Sequence, residues 1–91
     1  MQIKQAKFRV RGTTERGKIV DFTVKFSLEE TSAFSYGNGL GVYMETSEGI
    51  DNWFDVRYDK TLQKDGSNFY QWAKAFAEQY WPTNFTITPV E

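Results

Sequence analysis

From residue 3 to residue 12 apolar and polar side chains alternate. Ala6, Phe8 and Val10 fall on one side; Lys7, Arg9 and Arg11 fall on the other. A period of two predicts a strand with one buried and one wet face. Gly-Thr-Thr-Glu-Arg-Gly at 12–17 interrupts the pattern, which then resumes more clearly. Val20, Phe22, Val24, Phe26 and Leu28 line one face, and Asp21, Thr23, Lys25 and Ser27 the other. Two such runs joined by a short turn-forming link predict an antiparallel hairpin. Residues 29–41 read as a loop, because Asn38-Gly39 is a strong turn pair inside a glycine-rich stretch. Leu40, Val42 and Met44, alternating with Gly41, Tyr43 and Glu45, predict a third strand. After Ser47-Glu48-Gly49, a fourth strand is expected over residues 50–58. Its inward set is Phe54, Val56 and Tyr58; its outward set is Trp53, Asp55, Arg57 and Asp59.

The period changes after the polar stretch 60–66. Phe69, Trp72, Ala73, Phe76, Ala77 and Tyr80 recur at the spacing of one helical face. Ser67 or Asn68 is a candidate N-cap; with Asn68 as the cap, Gln71 is placed to complete a capping box. Pro82 stops the helix near Trp81. Asn84–Thr88 predicts a last short strand with Phe85 and Ile87 inward, and Pro89 marks it as an edge. The fold class expected is α+β: a two-layer, single domain over residues 1–91 in β-β-β-β-α-β order, with one amphipathic helix on one face of an antiparallel sheet. Phe76 is expected at the centre of the helix–sheet core.

Composition narrows the chemistry. Ninety-one residues fit one domain, and 18% aromatic residues supply the area a small core needs without staples. Cysteine and histidine are both absent. Disulfides, thiolate nucleophiles, Ser-His-Asp triads and His/Cys zinc sites are thereby excluded within one chain. We expect no enzyme, no metal and no cofactor. No apolar run reaches eighteen residues and the first residues are polar, so the expectation is a cytoplasmic protein with no membrane partner.

Charge adds the most suggestive feature. Residues 1–27 carry seven basic and two acidic side chains, a net of +5; residues 28–91 carry four basic and ten acidic, a net of −6. The overall charge of −1 hides this division, which can steer an anionic partner or a second copy of the chain. Lys7, Arg9 and Arg11 on one strand face, with Lys25 across the hairpin, are candidate nucleic-acid contacts. Their spacing of about 6.8 Å resembles that of a phosphate backbone. Trp53, with Tyr43, could stack bases on the same face. The competing reading is a solvated face whose cations pair with Glu45, Asp55 and Asp59.

Three further features call for weighing. Asp55 and Asp59 could act as a carboxylate pair, but Arg57 between them points to a salt-bridge ladder. Gly37–Gly41 could cradle phosphate, but no helix follows it. Tyr70 and Trp81 lie off the main helix stripe. They either widen the buried face or, with Tyr36 at the glycine-rich loop, anchor a protein contact.

Trp53-Phe54-Asp55-Val56-Arg57-Tyr58-Asp59, followed by Trp72-Ala73-Lys74 and Tyr80-Trp81, resembles small uncharacterised proteins of Gram-positive bacteriophages and prophages. The resemblance covers residues 53–81 and implies a cytoplasmic accessory protein of a mobile element; it transfers no functional residue. The function expected is a small soluble, non-catalytic protein-interaction module that binds an unknown protein or itself. The alternative is a weak single-stranded nucleic-acid binder using the basic hairpin. A carboxylate enzyme ranks third.

Overall fold

The computed structural model describes residues 2–34, 37–81 and 84–90. Its elements are β1 (Gln2–Thr13), β2 (Ile19–Phe34), β3 (Gly37–Thr46), β4 (Asp51–Asp55), α1 (Phe69–Tyr80) and β5 (Thr86–Pro89). The strands form a five-stranded sheet in the order β4-β3-β2-β1-β5, and every neighbouring pair is antiparallel. The helix covers one face. The domain is the α+β, two-layer arrangement expected from the hydrophobic pattern.

Side-chain alternation decides which face is buried. Ala6, Phe8 and Val10 of β1 meet Phe26, Val24 and Phe22 of β2 in register. Leu28 and Phe26 then meet Val42 and Met44 of β3. All of these are buried. The β1–β2 turn closes through Gly17, and the β3–β4 turn through Gly49, both at positive φ. A side chain with Cβ is strained there, so glycine suits both turns.

Two strand boundaries differ from the sequence pattern. Residues 29–34 and 37–41 are strand rather than loop: β2 runs on to Phe34 and β3 begins at Gly37. Glu29 pairs with Gly41, Glu30 with Leu40 and Thr31 with Gly39. Backbone ladder bonds hold this ribbon, so its poverty in strand-forming side chains does not stop it. The pairings of β1 and β4 end at Glu29 and Gly41, so the ribbon runs on past both neighbours. Conversely, the fourth strand ends at Asp55. Its carboxylate accepts from the Arg57 backbone N–H and guanidinium, which turns the chain out of the ladder. Val56 stays buried, but Tyr58 is 82% exposed instead of inward, and Leu62 contributes to the core instead.

The helix also sits differently from the expected stripe. Phe69, Ala73 and Ala77 are its buried residues, whereas Trp72 and Phe76 are half-buried and Tyr80 is exposed. Two alanines on the contact ridge let the helix approach closely, which bulky rings at the same place would prevent. The rings of Trp72, Phe76 and Tyr80 form a flank instead, continuing from buried Phe69. Phe69, Trp72, Phe76 and Tyr80 stack in sequence at 6.1, 5.3 and 5.9 Å. Phe54 packs on Phe76 at 4.8 Å. Asn68 is the N-cap residue but makes no side-chain cap bond. Its amide instead accepts from the Gln63 N–H and donates to the Thr61 carbonyl, tying down the preceding loop. At the other end Trp81 is extended, as the residue before a proline prefers.

Candidate functional site: the uncovered sheet face

The helix leaves the second face of the sheet open, and there the outward residues of each strand form rows. Lys7 stands opposite Lys25, Lys25 opposite Glu45, and Glu45 opposite Asp51. One row therefore reads plus, plus, minus, minus across β1, β2, β3 and β4. The next row is Gln5, Ser27, Tyr43 and Trp53. On the other side of the charged row, Arg9 stands between Thr88 and Thr23, and Arg11 between Thr86 and Asp21.

The hairpin does bring Lys7, Arg9, Arg11 and Lys25 together, as the alternation requires. Their counter-ions match the expected set in one case, Lys25 with Glu45, and differ for the two arginines. Asp21 takes both arginines: Arg9 donates through Nε and Nη2 to the two carboxylate oxygens at 2.9 and 2.6 Å. Arg11 lies 3.6 Å from the same carboxylate. The bond from Arg9 holds the Asp21 carboxyl below its ordinary range and raises the Arg9 guanidinium in turn. Lys25 pairs with Glu45 at 3.5 Å. Lys7 makes no ion pair among the described residues, and neither does Asp51. Asp55 serves Arg57 rather than the hairpin.

Asp59 is not on this face. It turns towards the helix, where it accepts from the Thr61 N–H and hydroxyl, the Leu62 N–H and the Trp72 indole N–H. These donors keep its carboxyl below the ordinary range, with the Thr61 hydroxyl bond first. Asp55 and Asp59 therefore form no carboxylate pair. Among the described residues no group of three or more metal-ligating side chains is gathered. Gly39 and Gly41 belong to a strand rather than a phosphate loop.

Trp53 shares the open face but lies at its acidic end. Its indole lies over Gly41, so close that a Cβ there would overlap the ring. The Tyr43 ring sits 6.5 Å from it. With one ring face on the backbone, Trp53 is half-buried and offers less than a free stacking platform. Tyr43 donates its hydroxyl to Asp51. That bond, then burial, then the charges of Asp51, Glu45 and Glu29 push its pKa up to about 12. Tyr43 should therefore ionise late in a tyrosinate absorbance titration, and Asp51→Asn should bring it back towards the ordinary 10.0. Because the folded value is raised, this bond stabilises fully below the ordinary pKa and is lost as pH rises through about 12. An unchanged titration in Asp51→Asn would contradict the assignment.

No protein-family model, no curated protein and no solved structure matches this chain. Its site is therefore read from its own geometry. Of the expected protein anchors, Tyr36 lies outside the described residues. Tyr70 packs its ring on Phe8 at 5.4 Å and is still 42% exposed. Trp81 packs on Phe22 at 5.5 Å and on Phe26 at 6.5 Å. Trp81 is thus half-buried against the core just past the helix, while Tyr70 sits at the rim of the helix–sheet contact with part of its ring in solvent. What the sequence reading missed is Asp21 as the shared clamp, and Asp51 as the acidic end of a row. The hairpin link at 14–18 carried the first signal, since its length sets the register that puts Asp21 beside Arg9 and Arg11.

Proposed function

We propose that this chain is a non-catalytic protein-interaction module working through the uncovered sheet face. The observation that carries the reading is the sign-split row Lys7–Lys25–Glu45–Asp51 with the Tyr43–Trp53 pair beside it. Such a face offers charges of both signs for complementary pairing and an aromatic anchor beside them. The grooves on this face are open and shallow in character, bounded by Arg9, Arg11, Thr86 and Thr88 at one end and by Lys7, Lys25 and Glu45 at the other. Among the described residues no helix is long and apolar enough to cross a membrane. A cytoplasmic accessory role in a mobile element, which residues 53–81 suggest by resemblance, is part of the same proposal.

The test compares proteins retained from a lysate by three forms of the chain. Wild type and a helix-surface variant, Gln71→Glu with Glu78→Lys, should retain the same partners. A sheet-face variant, Arg9→Glu with Lys25→Glu, should lose them. Equal retention by all three forms would sink the reading.

One observation favours a second reading. Lys7 and Lys25 stand directly opposite each other, an unfavourable arrangement that an external anion would relieve. Single-stranded nucleic acid would supply that anion. The reading requires oligonucleotide binding in fluorescence anisotropy at about 50 mM salt that collapses at about 200 mM. Asp21 already occupies Arg9 and Arg11, which is why this reading stands second.

A further inference from the structure

The charged row is self-complementary. Its signs run plus, plus, minus, minus from Lys7 to Asp51. Turn a second copy by 180° about an axis parallel to the strands, above the gap between β2 and β3. The row then lies on its own reverse. Lys25 of one copy faces Glu45 of the other, and Lys7 faces Asp51; each contact occurs twice, as an isologous interface requires. The neighbouring row obeys the same operation. Tyr43 comes over the strand position of Ser27, a side chain already covered within its own chain, and Trp53 comes over Gln5. Aligned sheets pack about 10 Å apart, a gap that a lysine and a carboxylate reaching from opposite sides can close.

We propose that the partner taken by this face is a second copy of the chain, docked face to face about that two-fold axis. The inference rests on the reading of the open face as an interaction surface and adds the occupant and its register. Two features favour a copy over an unrelated acidic protein. Lys7 and Asp51, at the two ends of the row, make no ion pair within the described chain, and the two-fold axis brings these two together. Lys25 and Glu45, already 3.5 Å apart, become a closed ring of four alternating charges. An acidic partner would satisfy only the lysine half and would face Glu45 and Asp51 with like charge.

The experiment is sedimentation equilibrium from about 10 µM to about 1 mM, the range in which small interfaces dissociate. Wild type should approach twice the 10.6 kDa chain mass at low salt and fall back as salt rises. Lys25→Glu and Glu45→Lys each place like charges across the axis and should weaken the dimer by about tenfold or more. An equimolar mixture of the two variants should dimerise again, because Glu at 25 then faces Lys at 45 of the other copy. That rescue needs both variants folded, so misfolding cannot imitate it. A wild type that stays at the single-chain mass, or a mixture no better than its components, overturns the inference. If lysate partners are still lost on the sheet-face variant, the reading of the face survives that failure; if they are not, both fall.

Discussion

Phe26→Ala is expected to lower the unfolding free energy by about 3–5 kcal/mol, the range for emptying a fully buried phenylalanine site. Phe26 sits on the central strand β2 with no exposure, in register with Ala6 on one side and Met44 on the other. Its ring meets Phe8 at 6.1 Å, Phe76 at 5.7 Å and Trp81 at 6.5 Å. Those contacts join the sheet, the helix interior and the helix end, so no single neighbour can move in to fill the space. For a domain whose whole stability is about 5–15 kcal/mol, the loss is large enough to shift the urea midpoint far to the left. Phe76→Ala should cost clearly less. Phe76 is half-buried on the flank of the helix and its neighbours, Trp72 and Tyr80, can close over the gap. The order of the two losses is the measurement: Phe76→Ala costing as much as Phe26→Ala would put the helix back on the stripe that periodicity alone suggests.

That contrast shows what periodicity can and cannot supply. The faces of residues 3–12, 19–28 and 40–46 were readable because a half-buried strand forces a strict alternation. The helix limits were readable to within a residue because Ser67-Asn68 and Pro82 bracket one period. The rotation of the helix was not. Ala73 and Ala77 share the apolar arc with Trp72 and Phe76, and only the requirement of close approach to the sheet decides which of them point straight down. Asp59 was assigned outward by alternation; the turn made by Asp55 and Arg57 ends the strand before it, and alternation has no force beyond a strand end. The ribbon formed by residues 30–34 and 37–40 was hidden for the opposite reason, since glycine and serine read as a loop while the backbone ladder accepts them. For the site, the basic residues were visible and their partners were not. Naming Asp21 needed the hairpin register, and naming the row from Lys7 to Asp51 needed the strand order.

The second large effect is expected at Gly12. Its backbone has no positive φ and carries no special turn; it is glycine because Phe85 lies on it. A Cβ built at Gly12 would fall 2.3 Å from Phe85 Cδ1 and 2.6 Å from Cγ, deep in the ring rather than at its edge. Phe85 has limited freedom to yield. It is half-buried against the core, and the next residues are locked into β5, where Thr86 pairs with Arg11 and Ile87 with Val10. The neighbouring Asn84 amide donates to the Thr13 carbonyl at 3.0 Å, fixing the chain from the other side. Gly12→Val therefore forces the ring out and loosens the short edge strand, a cost of about 1–3 kcal/mol by overpacking. The cause is checked by a double-mutant cycle read by urea denaturation. In a Phe85→Ala background the clash has no partner. There Gly12→Val should be neutral or stabilising, because valine suits a strand better than glycine. A coupling of about 0.5–3 kcal/mol between the two sites is the expected result. Strictly additive losses would mean that Gly12 serves the backbone itself and that Phe85 covers it by accident.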